Sequence, residues 1–388
     1  MSTERLYYSD SYLTRFRATV RHRSEDGRRV VLDRTAFYPT SGGQPFDTGR
    51  LGGRAVTDVV DDGETIVHLL DAPLLEDEVD GIVDWSRRLD HMRQHTGQHL
   101  LSAVLAELYG HQTVSVHFGA EYATLDLDAP ELTPDQLREA ERRANAVVME
   151  NRPVSVTFED AATAAGLRKA SDRSGTLRVV TIADLDRSAC GGTHVRATGE
   201  IGPILIRGAE RVKKQVRLEF RCGLRAIGRA RRDLELLSGM AAAASAGIDE
   251  VGARFEKQRV ELAGAVSERR RLEETLHGYR AGELYHQAAP DAAGRRTIVL
   301  RDPPGGAEAL RGIAQAMTSL GNVLFVGTTA TPPTIVVAAS ADAGVDAGQR
   351  LKPLLAGVGG RGGGSARIAQ GTAPSMDQLD SVVAALRG

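Results

Sequence analysis

Residues 95–99 read His-Thr-Gly-Gln-His and residues 189–195 read Ala-Cys-Gly-Gly-Thr-His-Val. Each stretch sets two metal-binding side chains four positions apart, and the pair constrains the fold more than any other feature of the chain. His95 and His99 fall in residues 88–110, where Leu100, Leu101, Val104, Leu105 and Leu108 form a helical apolar stripe and Gly110 stands where a C-cap belongs. On a helix the two imidazoles share one face, one turn apart. Cys190 and His194 lie at the ends of a turn that Gly191 and Gly192 allow to be tight. Three imidazoles and one thiolate suit Zn²⁺, with bonds of about 2.0–2.1 Å to nitrogen and about 2.3 Å to sulfur. A chain that uses all four must fold a helix against a turn distant in sequence. The competing readings are a polar helix face, a small buried cysteine, or a Cys–His nucleophilic pair. The last lacks an evident third residue to orient the imidazole. The combination favours the metal. His91, also four residues from His95, is the nearest rival ligand.

The rest of the chain divides around these segments into an α+β protein. Residues 1–88 alternate in short runs such as Arg29–Leu32 and Thr65–Leu70 between Gly, Asp and Pro turns, and predict a β-rich domain. Residues 89–224 predict an α/β domain that carries the zinc ligands. Its second helix starts at Thr133 as N-cap, with Pro134 first and Gln136 completing a capping box, and stops before Pro153. Residues 225–289 are rich in Ala, Arg, Glu and Leu and read as a helical spacer. Leu234, Leu237, Leu262, Leu272 and Leu276 supply apolar positions without a sustained heptad repeat. Residues 290–388 alternate strands and helices as a small α/β domain, with a glycine-rich insert at 357–371 read as a loop.

Among the 388 residues are two cysteines, too few for a disulfide framework, and no apolar run long enough for a membrane span. A cytoplasmic setting is expected. The net charge of −2 leaves any nucleic-acid binding to local patches. One such patch is 207–232, with ten Lys or Arg, Lys213 and Lys214 among them, against two Glu. Another is the glycine-rich insert, where Arg361 and Arg367 flank a main chain that RNA can approach closely.

Three blocks also carry a family resemblance: residues 37–49, containing Ser-Gly-Gly-Gln; residues 93–103, around His95 and His99; and residues 190–204, from Cys190. Together they resemble the alanyl-tRNA editing family, which comprises the editing half of alanyl-tRNA synthetase and free-standing AlaX-type proteins. The resemblance is strong over 1–225 and extends less closely to the C-terminal domain. There Ala369, Gln370 and Gly371 match the family's pattern, while residues 365–368 depart from it. The resemblance implies zinc on His95, His99, Cys190 and His194, and hydrolysis of wrongly charged tRNA(Ala), chiefly seryl-tRNA(Ala). It implies that Thr96 places a hydroxyl near the serine side chain and that Gln44 lies on a loop beside the pocket. His117 is a further candidate for lining the pocket, with packing against the core as its plainer reading. No stretch resembles the ATP-binding motifs of a class II synthetase, so the expected protein is a long AlaX-type deacylase acting in trans. It is expected to meet tRNA(Ala) carrying a wrong amino acid, and to self-associate through the spacer or the last domain. The alternatives are a repurposed aminoacyl-tRNA hydrolase or transferase, and a dimeric RNA-binding protein with structural zinc.

Overall fold

A computed structural model describes residues 2–170 and 174–387. It is a mixed α+β chain that divides into two compact units, 1–239 and 240–388.

The first unit begins with β1 (Glu4–Arg5), β2 (Arg15–Arg23), β3 (Arg29–Leu32), β4 (Arg34–Thr35), β5 (Gly49–Leu51), β6 (Arg54–Asp62), β7 (Thr65–Leu70) and β8 (Glu78–Val83). Six of these close a barrel in the order β2-β3-β7-β6-β5-β8. The period-two patterning is the cause. Ile66, His68 and Leu70 of β7 point inward while their neighbours are partly exposed, and Val79 and Val83 of β8 do the same. Val30, Leu32, Phe37, Leu51 and Val59 fill the interior. Closure leaves no open edge, which residues 1–88 could not reveal from local alternation.

Helix α1 (Trp85–Tyr109) follows directly. Asp84 caps it by accepting from the Ser86 and Arg87 N–H groups, and Gly110 ends it at φ 71°, as its position predicts. The chain continues through β9 (Thr113–Phe118), β10 (Ala123–Leu127), α2 (Pro134–Glu150), β11 (Val154–Asp160), β12 (Thr176–Ile182), β13 (Asp186–Ala189), β14 (Ile204–Val212), β15 (Gln215–Cys222) and α3 (Leu224–Ala243). The capping box at Thr133 and Gln136 is formed. Strands β14-β15-β10-β9 make one antiparallel sheet, with β9 at its edge, and β11-β12-β13 make another. Leu100, Leu101, Val104 and Leu105 of α1 are wholly buried with Leu125, Leu218, Phe220 and Val147. Each such side chain contributes about 1.5–3 kcal/mol by leaving water. That face of α1 fixes which way its other residues point.

One buried ion pair ties the barrel to the base of α1. Arg88 and Asp47 are both fully enclosed, and Arg88 also donates to the carbonyls of Ser11 (2.7 Å) and Ala36 (2.5 Å). Asp47 accepts from the Tyr38 N–H in turn (2.7 Å). With every group satisfied, the pair acts as a rivet that sets the loop of residues 38–47 against the helix.

The second unit contains α4 (Val251–Gln287), β16 (Arg296–Arg301), α5 (Gly306–Met317), β17 (Val323–Ala330), β18 (Pro333–Ala339), α6 (Ala347–Gly357), β19 (Arg361–Gly364), β20 (Ile368–Thr372) and α7 (Met376–Arg387). Its five-stranded sheet runs β16-β17-β18-β20-β19. The glycine-rich insert, expected as a loop, is the end of α6 followed by the hairpin β19–β20. A Cβ on Gly362 would lie 2.5 Å from Leu355 Cδ1, and one on Gly371 would lie 2.3 Å from the same atom. These glycines let α6 settle onto the hairpin. In α3 and α4 the spacer leucines 234, 237, 262, 272 and 276 are all exposed. No helix among the described residues is long and apolar enough to cross a membrane.

Candidate metal centre

The four expected ligands come together. One donor atom from each of His95, His99, Cys190 and His194 lies within 4.8 Å of all the others. Cys190 Sγ is 3.4 Å from Nε2 of His95 and 3.4 Å from Nε2 of His194. Zinc bond lengths put sulfur and nitrogen about 3.5 Å apart on a tetrahedron's edge, so the spacing fits. The described residues offer one such group, and His91 is not in it. His91 is buried one turn earlier on α1, and burial pushes its pKa down to about 4.

Each imidazole is aimed by its other nitrogen. His95 Nδ1 donates to Gln44 Oε1 (2.8 Å), His99 Nδ1 to Asp186 Oδ2 (3.0 Å), and His194 Nδ1 to Thr96 Oγ1 (3.1 Å). With Nδ1–H spent on an oxygen, the Nε2 lone pair faces the centre in all three, the tautomer a metal requires. The thiol is prepared as well. Burial alone would raise the Cys190 pKa, but the adjacent His95 and His194 hold it well below the ordinary thiol range. These residues therefore fit a zinc ion in spacing, tautomer and charge.

The supports have physical causes of their own. Gln44, at the end of the Ser-Gly-Gly-Gln turn, is 1% exposed and clamps both ligand segments. Its Oε1 also accepts from the Thr193 N–H (3.2 Å), and its Nε2 donates to Thr193 Oγ1 (2.8 Å). Gly192 serves by leaving space. A Cβ there would lie 2.2 Å from His95 Cε1, and its N–H donates to Cys190 Sγ (3.3 Å). Arg178 braces the turn from behind, donating to the carbonyls of Cys190 (2.7 Å) and Tyr8 (2.9 Å).

Thr96 lies elsewhere than the resemblance implied. It is wholly buried behind His194, and its hydroxyl oxygen also accepts from the Val195 N–H (3.2 Å). His117 is exposed, so it neither lines the metal centre nor packs in the core; its neighbour Phe118 packs against His95 with tilted rings, centroids 5.1 Å apart. Lys213 and Lys214 form the exposed tip of the β14–β15 hairpin. Arg361 and Arg367 are exposed in the second unit, Arg361 at the start of β19 and Arg367 just before β20.

Asp186 and Phe118 are participants that the sequence reading did not mark. Asp186, buried on β13, also accepts from Arg168 Nε (2.7 Å) and Ser188 Oγ (2.9 Å). Burial would raise its carboxyl, but His99 and Arg168 hold it below the usual range, so it remains a carboxylate. A cavity of about 400 Å³ opens beside His99. Its walls come from the edge strand β9, from Gly42, from Gln98, and from residues 168–170 and 188–189.

Comparison with known proteins agrees with this site. Residues 177–218, which include Asp186, Cys190 and His194, match the family described as "Threonyl and Alanyl tRNA synthetase second additional domain". The chain is 33% identical to the alanine–tRNA ligase of Methanoregula boonei, in a match covering 97% of this chain and 42% of the ligase. It is 41% identical to the ligase of Thermococcus kodakarensis over 58% of this chain and 26% of that protein. It is 36% identical to the alanyl-tRNA editing protein AlaX-L of Pyrococcus horikoshii, covering 58% of this chain and 59% of the relative. The chain thus spans less than half the length of these ligases and about three-fifths of AlaX-L. Its matched family segment, its ligand set and its similarity to an editing protein all point the same way: the chain is similar to proteins of the alanyl-tRNA editing family.

Proposed function

We propose that this protein hydrolyses, in trans and in the cytoplasm, the ester bond of mischarged tRNA(Ala), chiefly seryl-tRNA(Ala). The observation that carries the reading is the set of three imidazoles and one thiolate, each imidazole held by its Nδ1, beside a cavity with polar walls. Zinc on His95, His99, Cys190 and His194 would supply positive charge for an ester carbonyl and hold the wall in shape. The chain's own residues do the remaining work. Gln44 and Thr96 act as positioning residues, fixing His95 and His194 so that the site needs no rearrangement as charge develops on the carbonyl oxygen. An aminoacyl ester is already activated, so a held water and a preorganised surface suffice, without a strong nucleophile.

The same reading gives tRNA two places of contact. Lys213 and Lys214 project from a hairpin tip, and Arg361 and Arg367 project from the glycine-rich hairpin. All four side chains are exposed, as a phosphate contact requires. Replacing Lys213 and Lys214 together by alanine should weaken tRNA binding and flatten its salt dependence by about two contacts' worth. An unchanged slope removes the hairpin tip from the interface.

The activity is tested by offering the zinc-loaded protein tRNA(Ala) charged with serine, glycine or alanine. Seryl-tRNA(Ala) should be cleaved fastest and alanyl-tRNA(Ala) slowest. Equal rates for serine and alanine would contradict an editing role.

A further inference from the structure

The resemblance put the reader of the substrate's hydroxyl at Thr96, but that hydroxyl is enclosed and engaged by His194 and Val195. Successive residues on a helix turn by about 100°, so Gln98 points about 200° away from Thr96. It is Gln98 that lines the cavity beside His99.

Gln98 is 6% exposed, and its carboxamide is fixed. Nε2 donates to Ser102 Oγ one turn further along α1 (2.9 Å), and Ser102 Oγ shares a hydrogen bond with Thr113 Oγ1 on β9 (2.6 Å). The ladder anchors the amide nitrogen to the sheet. No described residue donates to the carboxamide oxygen, and Gln98 is among the residues that line the cavity. A nearly buried acceptor without a partner is costly to leave unmade, and a ligand hydroxyl satisfies it.

We propose that Gln98 is a specificity-determining residue that accepts a hydrogen bond from the side-chain hydroxyl of the esterified amino acid. The inference rests on the deacylase reading and names the group read at that same site. The other donor on the amino acid itself is its α-ammonium, and the cavity does not suit one. Among the described lining residues the charged side chains are Arg168 and Lys169, both cationic, and no carboxylate is present. Serine therefore brings a partner for Gln98, whereas alanine and glycine leave the oxygen unpaired.

The test uses adenosine bearing serine, alanine or glycine through a 3′-amide, so that binding is read without cleavage. Titrated into the zinc-loaded full chain, the seryl probe should bind about threefold to tenfold more tightly than the alanyl probe. Gln98→Met keeps length and apolar bulk but removes the acceptor, and should bring the ratio to about one. Its zinc content should stay as in wild type, and its alanyl affinity should not fall, since alanine no longer leaves an acceptor unpaired. Ser102→Ala, which frees the carboxamide without removing it, should lower the ratio part of the way. A ratio that does not move in Gln98→Met overturns the proposal, as does a parallel loss for all three probes, which would mark a structural role or an ammonium contact. If wild type cleaves seryl-tRNA(Ala) yet both variants keep the wild-type ratio, Gln98 alone is refuted. A wild type that binds no probe and cleaves no ester refutes the deacylase reading itself.

Discussion

Replacing Cys190 with alanine should take bound zinc from about one ion per chain to nearly none, because a tetrahedral site loses its only thiolate. The remaining three imidazoles stay braced by Gln44, Asp186 and Thr96, so the fold itself should survive. Changing a group one bond beyond a ligand already costs about 10–100-fold in affinity, so loss of the ligand itself should exceed about a hundredfold. Metal analysis after dialysis against a weak chelator reads the effect, and circular dichroism confirms that the variant is folded. Stoichiometric zinc in Cys190→Ala would move the ion elsewhere, and a variant at His91 would then be the next to examine.

Asp186 should show the second largest effect. Asp186→Ala leaves His99 Nδ1–H without its acceptor and strips the Arg168 guanidinium of a bond at 2.7 Å. The imidazole is then free to rotate and to choose the wrong tautomer. Zinc affinity should fall by about ten- to a hundredfold, measured by competition with a chelator of known affinity. Asp186→Asn keeps an acceptor but not the charge and should fall nearer the lower figure. Wild-type affinity in Asp186→Ala would mean that other contacts orient His99.

The two variants differ in how visible their residues are in the sequence. Cys190, His194, His95 and His99 declare themselves because each pair is spaced by local geometry, a helical turn or a glycine turn. Asp186 sits in Asp-Leu-Asp-Arg, a run with no periodicity, and becomes a partner of His99 only because β13 begins beside α1. Thr96 and Gln98 show a subtler limit. Helical phase separates them by about 200°, but which of the two faces the cavity depends on how the Leu100, Leu101, Val104 and Leu105 face docks on its sheet. Closure of the barrel depends likewise on pairing β2 with β8 and β3 with β7, contacts that no local pattern encodes. At the C-terminal hairpin the glycines read as a loop, yet Gly362 and Gly371 are there because Leu355 leaves no room for a Cβ.

The activity proposed for this centre is cleavage of the wrong ester from tRNA(Ala). Its most direct test is the rate at which seryl-tRNA(Ala) is deacylated by wild type, beside Cys190→Ala at the same protein concentration. Zinc-loaded wild type should clear the seryl ester far faster than the uncatalysed rate, and the variant should fall close to that background. Background-level hydrolysis by fully zinc-loaded wild type would contradict the account.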